Sequence, residues 1–218
     1  MPQLQVAVIT GGHSFDLIEF HELFRSYPDL DVYIQHLEDF ASSPQAVRDS
    51  YDALVFYFFP REGPTDEGQP WWAGKPQSAL ERLAETGQGL VVLHHAILAY
   101  PDWPFWGEVV GLSDSHEFDY YHGETMNVYP TEVDHPIIAG LSPWAIVDET
   151  YDMGDAGEGS QILLTTDHPK SMKTIGWTRS VGKSRVFCCE LGHDHVAWEN
   201  PSFRTVLERG IKWSAGKL

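Results

Sequence analysis

The stretch Gly89-Leu90-Val91-Val92-Leu93-His94-His95-Ala96 is a short apolar run that ends at a paired histidine. The run predicts a buried parallel strand, and the residues from Ala96 onward predict the start of a helix. A residue between such a strand and helix lies on a sharp turn at the end of the sheet, where α/β enzymes commonly place a nucleophile. We expect His95 to occupy this turn and to bind metal, move protons or polarise a carbonyl. The alternative is that one of the two histidines is buried and hydrogen-bonded for packing.

Strands and helices alternate before this stretch, and the alternation predicts the fold class. Apolar runs that suit buried strands are separated by segments whose apolar residues recur at helical spacing. This pattern is typical of an α/β protein with a doubly wound, mostly parallel sheet and helices on both faces. The predicted strands are residues 4–10, 30–37, 53–59 and 89–93, and the predicted helices are residues 15–27, 44–50 (with Ser43 as N-cap) and 77–85.

The regular alternation of strands and helices ends after Tyr100, where prolines and tryptophans prevent a long regular helix. Short strands joined by turns are predicted there, followed by a closing amphipathic helix. No internal repeat, low-complexity tract or linker is present, so we expect a single domain over residues 1–218. The predicted strands in this half are residues 125–129, 145–147, 162–166, 174–179 and 185–191, and the closing helix is residues 203–214.

The charge of the chain narrows the classes of partner. Its 218 residues carry a formal net charge of −18, and so acidic a surface repels nucleic-acid phosphates and anionic lipid. Neutral sugars or cations are more suitable ligands for such a surface. The alternative is that the acidic residues only keep the protein soluble. We therefore expect a small-molecule carbohydrate as partner, no nucleic acid and no membrane, and we leave a homo-oligomer open.

The cysteines and the first residues indicate a cytoplasmic location. Cys188 and Cys189 are adjacent in a strand-like run, so their side chains point to opposite faces and a disulfide between them is not expected. A buried, reduced pair fits a cytosolic protein. The first residues show no basic region followed by an apolar stretch of signal-peptide form, and no segment is apolar and long enough to span a bilayer.

Four histidines follow predicted strands, and we expect them to lie at one edge of the sheet. In open α/β sheets, ligands bind beyond the carboxyl ends of the strands. Gly192 permits a sharp exit from the last strand, and Asp194 is expected to orient a histidine or to cap the next segment. The four residues are His13, His94, His95 and His193.

Two further segments supply candidate site residues. The segment 115–123 holds His116 and His122 among aromatic residues that suit either the flat face of a sugar ring or an ordinary loop anchor. Asp148-Glu149-Thr150-Tyr151 supplies two acids and a phenol after a short predicted strand. One acid serves as a general base if burial raises its pKa, and a solvated turn is the alternative. Gly11-Gly12-His13-Ser14 lacks the glycine spacing of a dinucleotide site, so no nucleotide cofactor is expected.

The motifs, taken in order, resemble the ThuA-like family, which is named for trehalose utilisation. The resemblance covers nearly the whole chain, including the segment 182–216. His122 matches the family histidine, although the prolines that follow it in the family pattern are missing here. The motifs are Val8-Ile9-Thr10-Gly11-Gly12-His13, Val91-Val92-Leu93-His94-His95-Ala96, Asp134-His135-Pro136-Ile137, Asp148-Glu149-Thr150-Tyr151 and Gly192-His193-Asp194.

The resemblance implies a flavodoxin-like sheet of the class I glutamine amidotransferase-like superfamily. In glutamine amidotransferases the turn after the central strand carries a cysteine nucleophile. In this sequence His95 takes that place, and His193 falls near the position of the catalytic histidine. Because the acyl-enzyme route is lost with the thiol, we expect no glutaminase activity.

The resemblance also implies chemistry on an oxidised carbohydrate, because family members are associated with trehalose and related disaccharides beside dehydrogenases that make 3-keto sugars. We expect an enzyme of carbohydrate metabolism that acts on a keto-sugar or keto-glycoside by proton abstraction with isomerisation, or by glycoside cleavage. The alternative is a non-catalytic sugar-binding or regulatory module. The expected catalytic residues are His95, His193 and Glu149, and the expected substrate-binding residues are His13, His94, His122, Tyr151 and Asp194.

A divalent metal, zinc or manganese, is a further expectation. The sequence has no paired-cysteine knuckle and no His-Glu-x-x-His helix, so neither a structural zinc site nor a common protease site is expected. Three histidines from separate strand ends, His13, His95 and His193, form an open metal site in this interpretation. In the alternative interpretation, the same histidines share a polar network with ordered water.

Overall fold

A nine-stranded sheet organises residues 3–112 and 115–218, which are the residues that the computed structural model describes. Its strands are β1 (Leu4–Gly11), β2 (Leu30–His36), β3 (Ala53–Phe58), β4 (Gly89–Leu93), β5 (Asp119–Pro130), β6 (Trp144–Asp152), β7 (Gln161–Thr165), β8 (Thr174–Val181) and β9 (Ser184–Cys189). Their order across the sheet is β2-β1-β3-β4-β9-β8-β7-β5-β6.

The sheet has a parallel half and an antiparallel half. The strands β2, β1, β3, β4 and β9 pair in parallel, which confirms the predicted doubly wound α/β architecture. The remaining pairs, from β9 through β8, β7 and β5 to β6, are antiparallel. The antiparallel extension therefore begins after Tyr100, where the regular alternation of strands and helices in the sequence ends.

Helices connect the strands of the parallel half and close the chain. The predicted helix over 77–85 is divided at Arg82 into two short helices. Ser43 follows the second helix instead of capping the third, and its hydroxyl donates to the Asp39 carbonyl oxygen at 2.8 Å. No helix in the described part of the chain is long and apolar enough to cross a membrane. The helices are α1 (Leu17–Arg25), α2 (Leu37–Ser42), α3 (Gln45–Arg48), α4 (Pro76–Glu81), α5 (Leu83–Thr86), a 3₁₀ helix (His94–Leu98), α6 (Pro104–Val110), α7 (His195–Trp198) and α8 (Pro201–Ser214).

The side chains of β3 show that helices pack on both faces of the sheet. Successive residues of a strand point to opposite faces. Tyr57 packs on Phe20 of α1, with ring centroids 4.6 Å apart. Its neighbours Phe56 and Phe58 pack on Trp106 of α6, at 5.1 and 5.2 Å. The helices α1 and α6 therefore cover opposite faces, as the sequence predicts.

The carboxyl ends of the parallel strands converge on one edge of the sheet. The strands β2 and β3 lie on either side of β1, so the direction in which the chain adds strands reverses there. Such a reversal is the point at which open α/β sheets bind ligands. The segments that follow β1, β3, β4 and β9 all leave the sheet at this edge, and they position the candidate site.

Close packing between β4 and α8 leaves no room for a side chain at Gly89. A Cβ atom at this position would lie 2.5 Å from the carbonyl carbon and from the Oγ atom of Ser214. We expect Gly89→Ala to lower the free energy of unfolding by about 1–3 kcal/mol, the usual cost of overpacking a core. Urea unfolding followed by tryptophan fluorescence measures this change.

Gly63→Ala is the matched control, because no atom lies within 4 Å of the Cβ position at Gly63. Its free energy of unfolding should stay unchanged or rise slightly, since alanine restricts the unfolded chain. An equal loss of stability in both variants, or none in Gly89→Ala, would contradict the close packing of α8 on β4.

Candidate functional site

The strained residue at the end of β4 is His94, whose backbone φ is +53°. A left-handed conformation costs a non-glycine residue about 1–3 kcal/mol and is often found at functional sites. We expected the sharp turn at His95, but the structure places it one residue earlier, at His94. The reason is that the chain leaves the strand at His94 and enters a 3₁₀ helix at once.

The ring of His94 is fully buried, and its two nitrogens face different groups. Nδ1 lies 2.6 Å from the carbonyl oxygen of Glu190, the residue that directly follows β9. Since a carbonyl oxygen can only accept, Nδ1 carries the proton and donates it. Nε2 therefore faces the side chains that come from β6 and from the segment after β9.

Nε2 of His94 lies in a cluster of polar atoms. It is 3.1 Å from Nδ1 of His193, 3.3 Å from Oε1 of Glu149 and 2.7 Å from the Tyr151 hydroxyl. Nδ1 of His193 and Oε1 of Glu149 are 3.6 Å apart. The second carboxylate oxygen of Glu149, Oε2, lies 2.6 Å from Nδ1 of His122, whose side chain is 62% exposed. Glu149 thus connects the buried His94 to a histidine in contact with solvent.

Burial and neighbouring charges set the protonation of two members of this cluster. Burial alone would raise the pKa of Glu149, but the neighbouring imidazoles of His94 and His193 outweigh it and hold the pKa below its usual range. Burial lowers the pKa of His193 to about 4, and the neighbouring His94 adds to the effect. At neutral pH, Glu149 is thus a carboxylate and His193 is an uncharged imidazole.

Two buried carboxyl groups hold the segments of the cluster in place. The Asp148 side chain accepts hydrogen bonds from the backbone N–H groups of Gly192 and His193, at 2.7 and 3.0 Å. Oε1 of Glu190 accepts from the backbone N–H of Tyr151 at 3.0 Å. Burial raises the pKa of Asp148 to about 6 and that of Glu190 well above its usual value. These contacts tie the end of β6 to the end of β9.

The sequence did not predict the roles of these two carboxyl groups. It predicts a short strand over 145–147 followed by acids that either act as a base or lie in a solvated turn, whereas Asp148 to Tyr151 lie within β6 and are buried. Pairing with β5 extends the strand to Asp152. The signal that could have indicated Glu190 is an acid placed directly after the apolar run of β9, where a buried position is expected.

A cavity of about 250 Å³ adjoins the cluster at the carboxyl edge of the sheet. His95 is 2% exposed, and neither of its ring nitrogens has a hydrogen-bond partner among the described residues. Its ring stacks on that of His13 with centroids 4.4 Å apart. Burial, together with the charges of neighbouring histidines, lowers the pKa of His95. The residues that line the cavity are His13, Phe59, His95, Leu98, Phe118, Tyr120, His122, Glu149 and Tyr151.

Most of the predicted site residues meet at this cavity. A larger cavity of about 360 Å³ lies around Tyr100, Trp103 and Trp106, but none of the predicted residues lines it. The predicted residues that line the smaller cavity are His13, His95, His122, Glu149 and Tyr151, and those that contact these residues are His94 and His193.

Asp194 is placed differently from the other predicted residues. Its carboxylate accepts from the backbone N–H groups of Val196 and Ala197 and so caps α7. Of the two roles that the sequence suggests for this residue, the structure shows the capping role. Asp194 is not among the described residues that line the cavity.

The expected metal ligands His13, His95 and His193 do not converge on one point. The rings of His13 and His95 are stacked with an interplanar angle of 29°, so the in-plane lone pairs of the two rings run side by side. Within residues 3–112 and 115–218, the group whose ligand atoms all lie within 4.8 Å of one another consists of His94, Glu149 and His193. This group shares only His193 with the expected ligand set.

The Asp148 carboxylate should be a main source of stability in the site. Asp148→Ala leaves the buried N–H groups of Gly192 and His193 without an acceptor, and an unsatisfied buried donor costs about 1–3 kcal/mol. We expect a loss of unfolding free energy of this size in urea. Asp152→Ala, at the exposed end of the same strand, is the control and should change stability by less than about 0.5 kcal/mol. Wild-type stability in Asp148→Ala would show that these bonds are not needed.

Comparisons with known proteins agree with this architecture. A family model described as trehalose utilisation (ThuA) matches residues 19–214. No curated protein matched the chain. A solved ThuA-like protein from Parabacteroides merdae is 19% identical with a TM-score of 0.75, over 99% of this chain and 91% of that one. A cytoplasmic protein from Salmonella typhimurium is 12% identical with a TM-score of 0.67, over 97% of this chain and 99% of that one.

A more distant solved structure has the amidotransferase-like fold. PurLQS from Thermotoga maritima is 12% identical with a TM-score of 0.59, over 97% of this chain and 99% of that one. At these identities the solved structures show the fold alone, and they confirm the expected glutamine amidotransferase-like architecture. The family match, in contrast, extends over most of the sequence. The chain therefore belongs to the ThuA family, described as trehalose utilisation.

Proposed function

We propose that the chain is an enzyme of carbohydrate metabolism that transfers a proton on a keto-sugar or keto-glycoside related to trehalose. The observation that carries this proposal is one cavity in which proton-transfer groups meet aromatic rings at the carboxyl edge of the sheet. Family membership supports the carbohydrate class. A cytoplasmic location belongs to the same proposal, and the free, buried thiols of Cys188 and Cys189 support it.

The cavity suits one sugar ring. Its volume of about 250 Å³ lies just below the range of about 300–1,000 Å³ that is usual for ligand pockets, so the second ring of a disaccharide would extend outside. Phe59, Phe118 and Tyr120 offer flat apolar faces to the C–H bonds of a pyranose. The Arg61 guanidinium lies 5.3 Å from the centroid of the Phe59 ring and 5.5 Å from that of the Phe118 ring. These cation–π contacts connect the two aromatic residues that line the cavity.

A keto-sugar offers an acidic C–H bond to such a cavity. Removal of the proton beside the carbonyl group gives an enediolate. Protonation of the former carbonyl carbon then gives the isomeric ketone. Alternatively, the carbon next to the deprotonated one loses its glycosidic group, and this elimination cleaves the glycoside. Both routes need a base for the C–H proton and a hydrogen-bond donor for the developing oxyanion.

Glu149 and His122 are the proton-transfer pair in this proposal. Oε2 of Glu149 is 2.6 Å from Nδ1 of His122, both residues line the cavity, and the exposed imidazole exchanges protons with solvent. The ring nitrogens of His95, which have no hydrogen-bond partner within residues 3–112 and 115–218, can bind sugar oxygens, with His13 stacked beside them. His193 acts as a positioning residue in this scheme, because it reaches the reacting groups through Glu149.

Exchange of a carbon-bound hydrogen tests the proposal. In D₂O the protein should catalyse deuterium incorporation beside the carbonyl of 3-ketotrehalose, which NMR detects. His122→Gln should slow this exchange by about 10²–10⁴-fold, the usual contribution of a general acid–base group. His195→Ala is the matched control, because His195 is an exposed histidine that is not among the described lining residues. It should exchange at the wild-type rate.

Two results would count against the proposal. Binding of the keto-sugar with no deuterium uptake would make the chain a non-catalytic sugar-binding or regulatory module. If His122→Gln exchanges deuterium at the wild-type rate, the pair of His122 and Glu149 does not carry out the proton transfer.

Glutaminase activity should be absent. The left-handed turn after β4 carries His94 in place of a cysteine. Cys188 and Cys189 are buried in β9, where burial raises the pKa of both thiols, and neither is a described lining residue of the cavity. We expect no ammonia release from glutamine in a coupled assay. Ammonia release that a thiol-alkylating reagent abolishes would mean that the catalytic turn has been misplaced.

A further inference from the structure

Three ligand atoms from three separate segments form a triangle in the cluster. The distances from Nε2 of His94 to Nδ1 of His193 and to Oε1 of Glu149 are 3.1 and 3.3 Å, and the latter two atoms are 3.6 Å apart. In a tetrahedral zinc site with bonds of about 2.0–2.1 Å, ligand atoms lie about 3.3–3.4 Å from one another. We propose that His94, Glu149 and His193 bind one zinc ion, with the fourth position open toward the cavity.

His94 already has the second contact that metal-binding histidines usually make. Such histidines donate the N–H of their other ring nitrogen to a carboxylate, a backbone carbonyl or water, which fixes the tautomer and the ring orientation. Nδ1 of His94 donates to the Glu190 carbonyl oxygen at 2.6 Å. The lone pair on Nε2 is thereby aimed at the centre of the triangle.

The other two ligands are also held by partners outside the triangle. The backbone of His193 is fixed on both sides, because its N–H donates to Asp148 at 3.0 Å and its carbonyl oxygen accepts from the Tyr57 hydroxyl at 2.6 Å. Glu149 uses Oε2 for His122 and leaves Oε1 for the triangle. A site whose ligands are positioned in advance loses little conformational freedom when an ion binds.

The charges around the triangle favour a cation. In the described residues, the ion-pair partners of Glu149 are all histidines, and a histidine that binds a metal does so as an uncharged imidazole. The carboxyl group of Asp148 lies buried next to the cluster, where it accepts from the backbone N–H of His193. An ion with charge +2 therefore meets one carboxylate ligand, two neutral nitrogens and no competing lysine or arginine in these pairs. Two histidines and one glutamate are also a known ligand set of catalytic zinc.

The Tyr151 hydroxyl is the group that must change its hydrogen bond when the ion binds. It lies 2.7 Å from Nε2 of His94, and zinc would take that lone pair. Glu149 is a second acceptor within hydrogen-bond reach of the same hydroxyl. The phenol can therefore stay paired at the wall of the cavity while the lone pair on Nε2 of His94 passes from the hydroxyl to the metal.

An ion at this position would act as a Lewis acid on a keto oxygen. This role rests on the proposed function, since it requires a carbonyl substrate. The binding itself does not depend on it, because zinc binding is measured without any sugar.

Titration of the tag-free, chelator-treated protein with Zn²⁺ tests the proposal. Calorimetry should give one ion per chain with a dissociation constant below about 1 μM. His193→Ala and Glu149→Gln should each weaken binding at least about 100-fold, the upper end of the loss caused by changing a partner of a metal ligand. His13→Ala and His195→Ala remove histidines outside the triangle and should bind zinc like the wild type. Circular dichroism checks that each variant is folded.

Three other results of the zinc titration would each lead to a different conclusion. Absence of such binding in the wild type would overturn the proposal and leave the cluster as a hydrogen-bonded network. A loss in His13→Ala as large as that in His193→Ala would overturn this ligand set in favour of His13, His95 and His193. Zinc binding that follows the predicted pattern, without deuterium exchange on the keto-sugar, would support the metal site and reject the proposed function alone.

Discussion

The hydrogen bond from Nδ1–H of His94 to the Glu190 carbonyl oxygen is the contact on which the rest of the site depends. It joins the end of β4 to the end of β9 at the carboxyl edge of the parallel sheet. It also assigns the ring proton to Nδ1 and turns Nε2 toward Glu149 and His193. The left-handed backbone of His94 is unfavourable by itself, and this buried bond is one of the contacts that hold it.

The antiparallel extension completes the site that the parallel strands begin. The strand β6 supplies Glu149 and Tyr151, and β5 supplies His122, with an irregular register between Tyr121 and Glu124 next to that histidine. Burial of the neighbouring acids is costly unless donors surround them. Asp148 meets this requirement with backbone N–H groups, and the same bonds fix the segment that carries His193. Stability and positioning thus come from the same contacts.

The sequence predicts the parallel half well, because fully buried strands appear as continuous apolar runs and their ends share one edge. It therefore brings His13, His95 and His193 to one region without any knowledge of strand order. It places the sharp turn at His95 instead of His94, because the difference between two adjacent histidines is a backbone φ that an apolar run does not encode. It leaves open whether Asp148 and Glu149 are buried or lie in a solvated turn, because their place in β6 depends on pairing with β5, a non-local contact. Ring orientation, which decides the ligand set, is likewise absent from the pattern.

The geometry of the site requires that His94 presents the lone pair of Nε2 to Glu149 and His193. Long-range proton–nitrogen correlation spectra of protein labelled with ¹⁵N-histidine report which ring nitrogen carries the proton, and a His94→Gln spectrum assigns the signals. In chelator-treated protein we expect a protonated Nδ1 and an unprotonated Nε2 for this residue. A spectrum in which Nε2 of His94 carries the proton and Nδ1 does not would contradict it, because the carbonyl contact and the direction of the lone pair would both be lost.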